Sequence, residues 1–278
     1  MSLKYSLGID IGASLTKFGL VDGNNRIKQF EQLPTPKNKK ALISLLFKII
    51  EKDRSSIKNI GIGVPGRIDT NNGKVIKTPN LPLVNCPLIK ILKQKVSQPI
   101  KIENDANCFA LAEASEGSGI NYQSVVGITL GTGVGGGIIL DKKLYRGRGS
   151  AGEIGHHIVD REHFYDLEYF SGAKSLGLQG ADYQRLAAQA RQKQRKALNF
   201  WNDLGCVLGL GGLNIIRFLD PEIIVLGGKT AQFFKLFKHS LFKTLKQNYS
   251  YSLPKIVQSK LIDQAGIIGA TLLFKIKN

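Results

Sequence analysis

Cysteine is scarce in this 278-residue chain: Cys86, Cys108 and Cys206 lie far apart and form no CxxC pair. A disulfide scaffold is thereby excluded, and the three are expected to be reduced core thiols of a cytoplasmic protein. Acidic residues are in deficit too. Twenty-one Asp and Glu face 39 Lys and Arg, a formal net charge of +18, so a partner carrying phosphates has to be considered, although charge alone names none. Long apolar runs are missing. The stretch Leu7-Gly8-Ile9-Asp10-Ile11-Gly12 is too short and too polar for a signal peptide or a membrane span, which predicts a soluble chain with no membrane partner. No low-complexity linker interrupts it, so any domains must be joined by crossing helices. What is present is enough apolar material, 42% of residues, to exclude whole-chain disorder and to fill one large core or two smaller ones.

The first thirty residues read as consecutive strands: Tyr5 to Asp10, Leu15 to Val21, a turn at Asp22-Gly23-Asn24-Asn25, then Arg26 to Leu33. Leu42, Leu45, Leu46, Ile49 and Ile50 then recur at helical spacing between Ala41 and Lys52. A strand from Ile57 to Val64 ends at Pro65-Gly66. A hairpin around Asn71-Asn72-Gly73, a helix from about Pro87, a strand from Pro99 to Glu103 and a helix opening at Asn104-Asp105 follow. The same grammar restarts at Ser124, with a strand from Val125 to Leu130, a glycine-rich turn from Gly131 to Gly137 and a returning strand to Leu140. This near-repeat predicts a duplicated domain with a cleft between the copies. The remainder reads as helix from Ala181 to Leu219, strand from Glu222 to Leu226 ending in Gly227-Gly228, helix to about Lys246, strand from Lys255 to Val257 and a closing helix from Gln264 to Ile276.

Four segments have the residue types that chemistry needs. Asp10, at a strand end before Gly12, Ala13 and Ser14, is placed either as part of an ordinary hairpin or to hold Mg²⁺ through water beside phosphate-binding N–H and hydroxyl groups. Gly131, Thr132, Gly133 and the glycines to Gly137 put five glycines in seven positions, which lets backbone approach a bulky anion. No Gly-Lys-Ser/Thr closes that turn, so it is not a P-loop, and a strand rather than a helix follows, so it is not a dinucleotide fingerprint. Asn104 and Asp105 are either helix caps or a substrate-orienting amide and a general base. Glu153 and His156, between glycines, are poorly suited to a core. His157 is expected to be solvated, and Glu168 alone signals nothing.

In order, these motifs resemble the ROK family of the actin/hexokinase-like superfamily. The matching runs are Gly8-Ile9-Asp10-Ile11-Gly12, Gly61-Ile62-Gly63-Val64-Pro65-Gly66, Asn80-Leu81-Pro82, Glu103-Asn104-Asp105-Ala106-Asn107, Leu130 to Gly137, Gly152-Glu153-Ile154-Gly155-His156, Leu167-Glu168, Asp220-Pro221 through Gly228 and Gly266-Ile267-Ile268-Gly269-Ala270. The resemblance implies an α/β chain of two ribonuclease-H-like domains with an interdomain cleft: residues 1–117 with about 264–278 as the sugar and phosphate domain, 118–263 as the nucleotide domain. It implies a kinase moving the γ-phosphate of ATP to the 6-hydroxyl of a hexose or N-acetylhexosamine, with Asp105 as general base. Gly66, Asn80, Asn104, Glu153, His156 and Glu168 would meet the sugar. Asp10 would organise Mg²⁺, Ser14 and Thr132 would touch phosphates alongside Gly12, Gly131 and Gly133, and Gly227 and Gly228 would abut the adenosine. A homodimer is usual in the family.

The chain departs from that pattern in three places. No cysteine lies between His156 and Glu168, where the family carries a zinc loop, so no zinc is expected. The family's Gly-Gly-Thr-Lys is Gly12-Ala13-Ser14-Leu15, with Lys17 further along, and Lys229 replaces a third glycine after Gly228. Polyphosphate-dependent glucokinases of the family, some without the zinc loop, make polyphosphate an alternative donor, and a non-catalytic sugar sensor is the other reading. A repressor would need a helix-turn-helix, for which a first strand entered at Tyr5 leaves no room, and no aromatic platforms interleave the lysines, so nucleic acid is not an expected partner.

Overall fold

The computed structural model describes residues 4–276. The first half contains β1 (Tyr5–Ile11), β2 (Leu15–Val21), β3 (Ile27–Pro34), α1 (Lys39–Lys52), β4 (Ile57–Val64), β5 (Arg67–Asp69), β6 (Lys74–Lys77), α2 (Leu88–Leu92), β7 (Ile100–Asn104) and α3 (Asp105–Glu116). The second contains β8 (Val125–Leu130), β9 (Val134–Leu140), β10 (Lys143–Tyr145), α4 (Leu167–Ser171), α5 (Gly180–Arg191), α6 (Arg195–Leu219), β11 (Ile223–Gly227), α7 (Phe234–Asn248), β12 (Lys255–Gln258) and α8 (Ala265–Leu272).

The repeat of grammar is a repeat of topology. One five-stranded sheet runs β3-β2-β1-β4-β7 and the other β10-β9-β8-β11-β12. In each, the first three strands are antiparallel and the last two add in parallel. Helices cover the sheets because their apolar stripes need partners. In α1 that stripe is Leu42, Leu46, Ile49 and Ile50, all buried, and the Asn38 side chain caps the helix by accepting from the Ala41 amide at 2.8 Å.

Two helices cross between the halves. α3 follows the first sheet yet packs against β8 and β9, while α8 follows the second yet packs against β1 and β4. They also pack on each other, and with Val125, Ile139, Ile223 and Val225 they form an apolar cluster of their own. The packing of α8 is close enough that only glycine fits. At its crossing with α3 a Cβ on Gly269 would stand 1.8 Å from the Cys108 carbonyl oxygen, and where it meets β4 one on Gly61 would stand 1.9 Å from that of Ala270.

Several expectations need correction. The helical stretch from Ala181 to Leu219 is two helices, broken where Lys193 takes a left-handed φ of 60°. The closing helix ends at Leu272 rather than Ile276. Cys86 and Cys108 are buried, but Cys206 is exposed on α6, so it is not a core thiol. Residues 1–3 and 277–278 of the expected first domain lie outside the described residues.

Candidate functional site

A cleft of about 700 Å³ lies between the halves. Asp10, Gly12, Ser14, Asp105, Gly131, Thr132, Gly227 and Gly228 all line it, so residues more than 200 positions apart in the chain meet at one cleft. β1 delivers Asp10 opposite Lys17 on β2 and beside Gly63 on β4. α3 delivers Asp105 as its first residue. Gly63 adjoins both acids: a Cβ there would stand 3.6 Å from the Asp105 Cα and 3.8 Å from Asp10 Oδ1, ordinary contact distances.

Both carboxyls are perturbed. Burial, then repulsion from Asp10, pushes Asp105 up to about 7 against the pull of the Ala106 amide, which donates to its Oδ1 at 3.0 Å. Burial pushes Asp10 up to about 6, with Lys17 drawing it down and Asp263 adding to the rise. A buried carboxyl poised near neutrality inside a cleft is the arrangement a general base requires.

The glycine-rich turn forms the opposite wall. The Gly131 amide donates to the Gly133 carbonyl at 2.9 Å, and the amides of Ala173 and Lys174 donate to the carbonyls of Gly131 and Thr132 at 3.0 and 2.9 Å. From outside the cleft, Glu168 Oε2 accepts the Val134 amide at 2.7 Å, and a Cβ on Gly133 would fall 2.2 Å from that oxygen. Gly228 turns under the Leu130 carbonyl with a left-handed φ of 83°.

A second, smaller cavity of about 30 Å³ opens beside it, lined by Gly66, Asn104, Gly149, Gly152 and Glu153 among others. Asn104 is a helix cap, one of the two roles its sequence position allowed. Its Oδ1 caps α3 by accepting the Asn107 amide at 3.0 Å, and its Nδ2 donates to the Gly66 carbonyl at 3.1 Å. Asn80, Gly133, His156 and Glu168 line neither cavity.

The segment without cysteines is ordered by hydrogen bonds. His156 Nδ1 meets Asp166 Oδ2 at 2.9 Å, a contact that raises the imidazole's pKa. Asp166 Oδ1 also caps α4 through the Tyr169 amide at 2.8 Å, and the Leu167 amide donates to the His157 carbonyl at 3.1 Å. The Tyr165 ring stacks on Tyr169 at 3.8 Å, and exposed His163 bonds Asp160. His157 is not solvated: its Nε2 is buried without a partner, and burial lowers its pKa.

Sequence reasoning missed the supports of this site. Glu103, buried beside Asn104, accepts Arg146 Nε at 2.6 Å, the Asn104 amide at 2.9 Å and Asn107 Nδ2 at 3.1 Å. The Arg146 carbonyl takes the amides of Gly149 and Ala151, so this ion pair ties the end of the first sheet to the turn leading to Glu153. Glu113, fully buried, accepts the Ser118 amide, the Ser259 hydroxyl at 2.6 Å and the Leu261 amide. Ser259, Ile262 and Asp263 line the cleft, as do Lys174 and Lys229. No short motif marks Glu113 or Arg146, because what each does depends on a partner far away in the chain.

Among the described residues no group of three or more His, Cys, Asp or Glu side chains is arranged to hold a metal ion. Mg²⁺ needs no such cage, since it takes one or two carboxylates and completes its shell with water and phosphate oxygens. Asp10 fits that demand, and a Cβ on Gly266 would fall 2.5 Å from Asp10 Oδ2, where the bare glycine leaves the carboxylate room. Among the described residues no helix is long and apolar enough to cross a membrane.

Comparison with known proteins finds both sugar kinases and repressors. An N-acetyl-D-glucosamine kinase of Mannheimia succiniciproducens is 31% identical over 97% of this chain and 99% of its own length. A xylose repressor of Caldicellulosiruptor bescii is 31% identical over 95% of this chain and 76% of its own. Among solved structures, a ROK family glucokinase of Streptomyces griseus in complex with glucose and AMPPNP superposes with a TM-score of 0.85 at 25% identity, covering 97% of this chain and 98% of that one. The mixed-sheet α/β fold is thus that of a ROK kinase. A model of the ROK family matches residues 6–277, and the chain belongs to that family.

Proposed function

We propose that the chain is a sugar kinase that moves the γ-phosphate of ATP to the 6-hydroxyl of a hexose or N-acetylhexosamine. The observation that carries this reading is the placement of two consecutive residues: Asp105 lines the large cleft, while Asn104 lines the small cavity beside it. A sugar held by Asn104, Glu153 and the Gly66 turn presents its hydroxyl to Asp105. Asp105 takes the hydroxyl proton as the oxygen bonds to phosphorus and the bond to the β-phosphate oxygen breaks. The transferred phosphoryl group then resides on the sugar and ADP leaves. Ser14, Thr132 and the bare backbone at Gly12 and Gly131 adjoin the phosphates, with Gly133 shaping the turn, and Gly227 and Gly228 leave the adenosine room. Mg²⁺, held through Asp10, supplies neutralisation of phosphate charge when bound. His156 and Glu168 act on the sugar from the edge of the site, Glu168 while holding the turn.

In this reading residues 1–117 with 264–278 form the sugar domain and 118–263 the nucleotide domain. A homodimer, usual in the family, is part of this reading; α6 leaves Leu198, Leu210 and Phe218 individually exposed. Polyphosphate is the second donor to consider, because Lys17, Lys174 and Lys229 all line the cleft. A coupled assay of glucose, fructose, mannose, N-acetylglucosamine and N-acetylmannosamine, each with ATP and with polyphosphate, tests the reading. At least one ATP-dependent turnover is expected. Sugar binding without turnover on any pair would favour a sensor instead.

A further inference from the structure

The hairpin between β1 and β2 has Leu15 where a lysine is expected, yet the cleft it borders must receive a polyanion if the kinase reading, on which this inference rests, holds. Alternate residues of a strand share a face, so Lys17 stands on the same side of β2 as Leu15, about 7 Å further along. It lines the cleft together with Ser14 and Thr132. Its ammonium is not idle: it is paired with Asp263, from the turn that precedes α8. The two ends of this pair differ. The Lys17 side chain is 20% exposed, and that of Asp263 is 61% exposed.

An ion pair with one well-hydrated partner contributes little net stability, since the gain in attraction is offset by ordering and screening. It is therefore readily exchanged for a stronger anion. A phosphate chain supplies more charge and more acceptor oxygens than one carboxylate, and charge-assisted hydrogen bonds to it are the stronger kind. Asp263 has the opposite relation to the same ligand. Once Lys17 turns to phosphate, Asp263 is left as a carboxylate facing a polyanion in a cleft that already holds Asp10 and Asp105.

We propose that Lys17 is the cation that binds the donor's phosphates in place of the lysine missing at position 15, and that Asp263 is its resting partner, surrendered when the donor arrives. The pair is then a built-in competitor of the donor. This predicts effects of opposite sign for its two members, whereas a simple brace between β2 and the turn predicts the same sign for both.

The test is equilibrium binding of Mg-AMPPNP, tripolyphosphate and adenosine to the wild type, Lys17→Met, Lys17→Arg and Asp263→Asn, with thermal melting to confirm folding. Lys17→Met should weaken AMPPNP and tripolyphosphate about tenfold, the size of one hydrogen bond to a charged group. Lys17→Arg should restore most of that loss. Asp263→Asn should tighten both ligands about two- to threefold, as removal of one partly screened like charge would. Adenosine, which carries no phosphate, should bind all four proteins alike. The proposal is overturned if Asp263→Asn weakens the phosphate ligands, if Lys17→Met leaves them unchanged, or if adenosine shifts as much as AMPPNP. A wild type that binds neither AMPPNP nor tripolyphosphate overturns the kinase reading and this assignment with it; normal wild-type binding with a null Lys17→Met overturns the assignment alone.

Discussion

The two halves share a strand order and differ in how their first hairpins present themselves to the cleft. In the first half, charge is carried by side chains on the strands: Asp10 on β1 and Lys17 directly across from it on β2. In the second half, the turn from Gly131 to Gly133 and the glycines that open β9 have no charged side chain at all, and the turn's shape depends on what grips it from outside, Glu168 and the amides of Ala173 and Lys174. One duplicated frame thus provides two kinds of anion contact. Point charges are sensitive to substitution of a single side chain, whereas a glycine turn is sensitive to any atom added to it and to loss of the groups that hold it.

That contrast can be tested by breaking each half at its own weak point. The largest effect is expected where both halves depend on one contact. Gly269→Val forces a side chain into the Cys108 carbonyl at the crossing of α3 and α8, which neither backbone can yield cheaply, and should cost about 3 kcal/mol or more in denaturant unfolding. Next, Arg146→Ala leaves Glu103 buried without its cation, which should cost about 3 kcal/mol of stability. By loosening the turn to Glu153 it should also raise the sugar KM more than the ATP KM, a split that Arg146→Lys should partly restore. Gly133→Ala drives a methyl group into the Glu168 carboxylate and should raise the ATP KM, with Glu168→Ala following in the same direction because the Val134 amide loses its acceptor.

The smallest effect is on stability against pH. Asp105 and Asp10 have folded pKa values raised to about 7 and about 6, above their unfolded values, so between pH 4 and 7 these two groups bind more protons in the folded chain than in the unfolded one. Their contribution to the stability of the ligand-free protein therefore falls as pH rises through that window. Asp105→Asn should flatten the fall and melt a few degrees higher than wild type at pH 8, a site optimised for reaction rather than for folding. An unchanged slope would show that Asp105 is ionised well below neutrality.

Much of the fold was legible because its signals are local. The β1 and β8 strands, their glycine hairpins and the stripe of α1 can each be read within a few residues, and the repeated strand grammar foretold the repeated strand order. The break at Lys193 was not legible, since no proline or glycine marks it and a lysine adopts the left-handed turn. Cys206 was misplaced because composition cannot tell which side of an amphipathic helix faces water. In the site, the residues read from motifs line the two cavities with four exceptions, and the exceptions inform. Glu168 is occupied with the Val134 amide and packs against Gly133, His156 is held by Asp166, and Asn80 lines neither cavity. What was invisible is what spans the chain: Glu103 with Arg146, Glu113 with Ser259, Lys17 with Asp263, each an interaction between segments that only folding brings together.

In the proposed reaction everything turns on Asp105 as the base. Steady-state kinetics of Asp105→Asn, on the sugar that wild type turns over best and with Mg-ATP saturating, test this most directly. The expected result is a fall in kcat of about 10²- to 10⁴-fold, with the sugar KM and AMPPNP affinity changed little, since the amide keeps the shape and loses only the proton acceptor. A folded Asp105→Asn protein that phosphorylates the sugar at near wild-type rate would contradict it.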